Sequence, residues 1–268
     1  MNEYLSAVLL GIIEGITEFL PISSTGHLLI AQHWLPRRSE LFNIAVQSGA
    51  ILAITLVYRE RLWTLASGLR ERANLDYAFK IAAAFGTTAV LGLIVKALGW
   101  ELPETVAPVA WALIIGGVFI LIAERIAKRR AQILGDCSEI GWTVAILVGV
   151  AQVIAGVFPG TSRSAAAIFA ALLFGVTRRP AATEFAFLVG IPTMFAATGY
   201  ALLDSLGEHG IAGEDWGQLA VAFITAAATG FVAVKWLLRY IQGHSFAPFA
   251  YYRFALGAVL LLMIPVGE

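Results

Sequence analysis

The feature that most limits how this chain can fold is a series of long apolar runs, among them Ile44–Tyr58, Phe79–Leu98, Val106–Ala123 and Phe249–Val266. Several approach the roughly 20 residues an α-helix needs to span a ~30 Å hydrocarbon core. Of the 268 residues, 59% are hydrophobic and 13% charged, with a mean hydropathy of +0.81. A soluble domain carries about 25% charged residues. The chain reads as an all-α polytopic membrane protein, and a soluble enzyme is excluded. Eighteen Lys+Arg balance eighteen Asp+Glu, which argues against a basic surface for nucleic acid or an acidic tail. The single cysteine, Cys137, excludes an internal disulfide or a cysteine-built metal cluster. Glu3 is the first charge, and Glu14 and Glu18 interrupt the first apolar run, so no cleavable signal is expected.

Hydropathy predicts six spans, near 41–58, 79–98, 106–124, 183–203, 216–238 and 248–266. Two other apolar stretches, 4–34 and 142–176, are each broken by a proline followed by small hydroxyl residues: Pro21-Ile22-Ser23-Ser24-Thr25 and Pro159-Gly160-Thr161-Ser162. Each half is too short to cross alone, so both stretches are expected to form re-entrant hairpins. Unpaired backbone at that depth has to be buried in protein or face a wet cavity. Shifting the first stretch by 138 positions lays Gly11 on Gly149, Glu14 on Gln152, Pro21 on Pro159 and Ser24 on Ser162. Each half, 1–134 and 135–268, then holds one hairpin and three spans. An odd span number inverts the second copy, and an inverted repeat places a binding site near the midplane.

Charge gives an orientation. With the N-terminus outside, fourteen of the eighteen basic residues fall inside: Arg59, Arg61, Arg70, Arg72, Lys80, Arg125, Lys128, Arg129, Arg130, Arg178, Arg179, Lys235, Arg239 and, near a span end, Arg253. The outer side keeps Arg37, Arg38 and Lys96 with Glu101, Glu104, Asp204, Glu208, Glu214 and Asp215. By the positive-inside rule both termini lie outside.

Ionisable residues within apolar segments are costly and are functional candidates by default. Glu14 and Glu18 stack on one helical face, and two carboxylates form a hard-oxygen site suited to Mg²⁺ or Ca²⁺. Ser23 or Ser24 can cap the helix after the first break, where N–H groups and the helix dipole favour a phosphate. His27 lies about one turn on, within reach of Ser24 or of a bound phosphoryl group, as a general acid or base. At the second break Gly160 permits close backbone approach and Arg163 brings a permanent forked cation, with Glu14, Glu18 or a phosphate oxygen as its partner. Ser23, Thr25, Gly26, Gly160, Thr161, Ser162 and Ser164 are the phosphate-binding candidates. Glu184 is either an ion-pair residue or part of the site. Gln47 and Ser48 are candidates for interhelical contacts. His33, His209 and His244, with most tryptophans (Trp34, Trp63, Trp100 and Trp216 among them), are expected at the interface.

Residues 14–27 (EGITEFLPISSTGH) and 159–164 (PGTSRS) resemble the two signature motifs of the bacterial undecaprenyl-diphosphate phosphatase family, linked to bacitracin resistance. The likeness runs over nearly the whole chain, including 47–53 (QSGAILA), 183–188 (TEFAFL) and 248–253 (PFAYYR). The second motif departs from the family, which commonly has Gly and Thr where this chain has Ala165 and Ala167. The resemblance implies interlocked inverted repeats, a multi-pass bacterial inner-membrane location and a site open toward the periplasm. It implies hydrolysis of undecaprenyl diphosphate to the monophosphate and inorganic phosphate. Glu14 and Glu18 would then carry a divalent cation and orient the diphosphate. Ser24 would be nucleophile or phosphoryl ligand, His27 its acid/base partner, and Arg163 the group that neutralises developing charge. The partners expected are the polyprenyl diphosphate and the bilayer, with no nucleic acid and a homodimer left open. A polyprenyl-phosphate transporter using the same anion site is the alternative reading.

Overall fold

The computed structural model describes residues 2–35, 38–99, 106–208 and 215–263. Arg37, Trp100, Glu101, Glu104, His209 and Glu214 lie outside the described residues, as do the side chains of His33, Trp34 and Glu208. Among the described residues all regular structure is helical, in eleven helices. The expected spans appear as α3 (Glu40–Val57), α5 (Arg72–Ala97), α6 (Val106–Leu134), α9 (Arg179–Glu208), α10 (Trp216–Tyr240) and α11 (Ala247–Met263). Four of these, α5, α6, α9 and α10, are long and apolar enough to cross a bilayer. The chain is a polytopic membrane protein.

Hydropathy marks only the apolar part of a helix, so several helices outrun their expected limits. α6 continues to Leu134 through Arg125–Arg130, and α5 starts at Arg72. The segment after Tyr58, expected as loop, is helical too: α4 (Arg59–Ser67) leaves α3 at a 64° bend. Lys80, counted as a loop charge, is buried in α5, where its ammonium meets Asp76 at 2.5 Å and lies 5.8 Å from the Trp142 ring. Side-chain caps start several helices: Asn2 on α1, Ser39 on α3 and Asp215 on α10.

Both broken stretches are pairs of short helices. The first is α1 (Glu3–Thr17) and α2 (Ser24–Trp34); the second is α7 (Trp142–Val157) and α8 (Arg163–Phe174). At 1.5 Å per residue the longest of the four, α7 with 16 residues, covers about 24 Å, short of the ~30 Å core. α1 packs on α10, α7 on α5 and α8, and α8 also on α6 and α9.

One contact occurs twice at an offset of 138. A Cβ on Gly11 would stand 2.7 Å from the Ala222 carbonyl oxygen and 2.9 Å from Thr225 Cβ. A Cβ on Gly149 would stand 2.5 Å from the Ala84 carbonyl oxygen and 2.9 Å from Thr87 Cβ. Glycine at both places lets one helix backbone lie against another.

Candidate active site

The site is built from the two breaks. Ser23 (φ 74°) and Ser162 (φ 72°) are the only non-glycine residues with positive φ among those described. Such a conformation is strained, and strain of this kind clusters at functional sites. Each serine caps the helix that follows: Ser23 Oγ accepts from the Gly26 amide at 3.2 Å, and Ser162 Oγ from the Ala165 amide at 3.3 Å. The caps correspond at an offset of 139, so Ser162 matches Ser23, and the register expected for Ser24 is off by one. The second break holds one more residue between proline and serine, with Gly160 taking φ 93°. Arg163 therefore occupies the place in α8 that Ser24 occupies in α2.

These two first-turn residues meet on one carboxylate. Ser24 Oγ donates to Glu18 Oε2, and an Arg163 guanidinium nitrogen donates to Glu18 Oε1 at 2.9 Å. Glu18 is 7% exposed, and burial strengthens both charge-assisted bonds. Ser164 Oγ donates across to the Leu20 carbonyl at 3.2 Å and lies 3.0 Å from Ser162 Oγ. With its hydrogen on Leu20, Ser164 receives the hydrogen of Ser162. This chain ties the second hairpin to the first break.

Glu14 is fully buried, and neither carboxylate oxygen has a hydrogen-bond partner. Its charged neighbours are Glu18 and Arg163. An unpaired carboxylate at that depth is expensive. Gln152, the residue that matches Glu14 in the second half, is buried with its amide oxygen unpaired. It lines a small cavity with Glu18, Arg163, Ser164 and Thr193. Among the described residues no three His, Cys, Asp or Glu side chains form a metal cluster.

His27 is placed differently from the expectation. Its Nδ1 lies 2.6 Å from the Ser23 carbonyl oxygen and its Nε2 2.7 Å from the Tyr252 hydroxyl. Both ring nitrogens are occupied, and the serine hydroxyl that was its expected partner goes to Glu18. Thr25 is exposed, while Gly26 and Gly160 are buried. Ala165 and Ala167 are buried in α8.

Arg253 was read as a topology charge; among the described residues it is the largest fully buried side chain. Its guanidinium donates to five backbone carbonyls: Leu113 at 3.1 Å, Ala112 at 2.9 Å, Pro21 at 3.3 Å, Gly160 at 3.0 Å and Thr161 at 3.1 Å. It thereby satisfies the unwound carbonyls of both breaks and ties them to α6. With Arg253 at the centre, thirteen basic residues remain of those assigned inside. Glu184 forms an ion pair with Arg61 at 2.9 Å, and Ser48 donates to Ile44 within α3. Neither joins the site. His244 stacks on Tyr240 and is exposed.

Paired helix breaks in an all-α membrane protein thus bring a hydroxyl, a guanidinium and two carboxylates together. A profile described as bacitracin resistance protein BacA matches residues 7–259, and the chain belongs to that family. It is 62% identical over 267 residues to an undecaprenyl-diphosphatase of Xanthomonas campestris pv. campestris (strain 8004), with all of both chains covered. An undecaprenyl-diphosphatase of Stenotrophomonas maltophilia (strain K279a) is 63% identical over 268 residues, again with full coverage of both.

Proposed function

We propose that this protein hydrolyses undecaprenyl diphosphate to undecaprenyl phosphate and inorganic phosphate, recycling the lipid carrier for peptidoglycan and conferring bacitracin resistance. The observation that carries the reading is the double grip on Glu18 by Ser24 and Arg163. Attack on the terminal phosphorus forms a new O–P bond and breaks the bond to the bridging oxygen. If Ser24 Oγ attacks, its proton passes to Glu18 Oε2, to which it already donates, and water must then cleave the resulting phosphoserine to release phosphate. If water attacks directly, it loses its proton to the same carboxylate and phosphate leaves in one step. Arg163 supplies charge to the phosphoryl oxygens. His27, at the start of α2, is a second proton donor or acceptor, toward the leaving bridging oxygen. Ser23, Thr25, Gly26, Gly160, Thr161, Ser162 and Ser164 frame the phosphate pocket.

The residues fit a divalent cation. Glu14 offers two buried carboxylate oxygens without partners, and Glu18 lies beside it. With so few protein donors the match is to Mg²⁺ or Ca²⁺ held by one or two carboxylates, water and substrate phosphate oxygens. When bound, the ion neutralises charge on the diphosphate. The paired contacts at Gly11 and Gly149 support an inverted repeat of 1–134 and 135–268. Basic residues concentrated on one side support an inner-membrane protein with both termini periplasmic.

The test is phosphate release from a C55 diphosphate by purified protein, with and without EDTA. Release that EDTA abolishes and Mg²⁺ or Ca²⁺ restores is expected; no release under any condition would remove the reading.

A further inference from the structure

We propose that Tyr252 is a positioning residue for His27, aiming its imidazole by donating a hydrogen bond to Nε2. The inference rests on the role given to His27 above and on geometry at the junction of α2 and α11. A carbonyl oxygen can only accept, so the 2.6 Å contact with the Ser23 carbonyl puts the hydrogen of the neutral ring on Nδ1. Nε2 is then the acceptor, and the Tyr252 hydroxyl at 2.7 Å is its donor. The two rings are parallel to within 4°, with centroids 5.7 Å apart, so the phenol also supports the imidazole plane.

The two residues are 225 positions apart, and the chain holds them in register through the neighbouring residue. Arg253 binds the carbonyls of Pro21, Gly160 and Thr161, fixing the start of α11 against both breaks. Tyr252 is thus carried by the same clamp that shapes the break from which α2 starts. When His27 takes up a proton at Nε2, the contact reverses: Nε2–H donates to the phenol oxygen, whose own hydrogen turns outward. The phenol stays neutral throughout, and with 44% of its surface exposed it can exchange that hydrogen with water.

Removing the hydroxyl while keeping the ring isolates the effect. Purified, monodisperse wild type, Tyr252→Phe, His27→Ala and the double variant would be compared by kcat and KM for phosphate release from a C55 diphosphate. Loss of one net hydrogen bond corresponds to about a tenfold fall in rate. Tyr252→Phe is expected to lower kcat about tenfold with KM within about twofold, and to change the residual kcat of His27→Ala by less than about twofold. ¹⁵N-histidine spectra of the same proteins should show the His27 Nε2 resonance moving in Tyr252→Phe while Nδ1 stays protonated. An unmoved Nε2 resonance, or an equal loss in the His27→Ala background, overturns the proposal while leaving His27 in its role. Full activity of His27→Ala overturns both.

Discussion

At the first break the residue after the left-handed serine is Ser24; at the second it is Arg163. The backbone device is common to both: a proline, a serine at φ near 73°, and a capped helix. The side chains differ. The first hairpin contributes the carboxylates Glu14 and Glu18 with a hydroxyl, whereas the second has Gln152 in place of Glu14 and a cation in place of the hydroxyl. Glu18 accepts from both. Two breaks of like backbone can therefore supply opposite charges to one site, an arrangement that a single helix end, whose dipole has one sign, does not offer.

The most drastic way to break this comparison is to remove the group that holds the two breaks together. Arg253→Leu would leave five buried carbonyls without their donor, and loss of even one such partner costs about 1–3 kcal/mol. No monodisperse protein is expected from size-exclusion chromatography; a well-behaved, active variant would mean that water or another residue replaces the clamp.

Next in size is the asymmetry between Glu14 and Gln152. Glu14→Gln makes the first hairpin resemble the second and removes a buried negative charge. Its rate should fall on the order of 10²-fold, as for loss of an electrostatic contributor, with weakened thermal stabilisation by Mg²⁺ or Ca²⁺. Gln152→Ala should cost on the order of tenfold or less and keep the metal response. Equal metal responses in wild type and Glu14→Gln would place the cation elsewhere.

The smallest effect should expose what the breaks share. Ser23→Ala and Ser162→Ala each delete a cap worth about 1 kcal/mol and leave alanine at positive φ. Each should lower the melting temperature by a few degrees, about 2–4 °C per kcal/mol for a chain of this size. Clearly unequal losses would mean that the two caps do not carry the same load.

Much of this arrangement is legible in the sequence because its signals are local. Proline before small hydroxyl residues marks both breaks, and apolar runs mark α3, α5, α6, α9, α10 and α11, four of them long and apolar enough to cross a bilayer. What is not legible depends on distant partners. Arg253 sits beside a span end and looks like an anchoring charge, since its partners are backbone carbonyls on three separate segments that carry no side-chain signature. The contact of Tyr252 with His27 crosses nearly the whole chain. Aligning the prolines also hides the extra residue at the second break, so Ser24 is matched to Ser162 and the equivalence of Ser24 with Arg163 is missed. One-turn spacing suggested a Ser24–His27 pair. His27, however, is four residues after Ser23, and the carbonyl of that cap, which also accepts the His27 amide, takes its Nδ1.

The central claim is that Ser24 and Arg163, one from each half, act through a single carboxylate. Residues that act as a unit are strongly non-additive in kinetics. The most direct measurement is kcat/KM for phosphate release from a C55 diphosphate by wild type, Ser24→Ala, Arg163→Ala and the double variant, all purified and monodisperse. Each single substitution should cost on the order of 10²-fold or more, and the double should be no more than about threefold worse than the poorer single. Losses that multiply in the double variant would show two independent contributions and contradict a shared grip on Glu18.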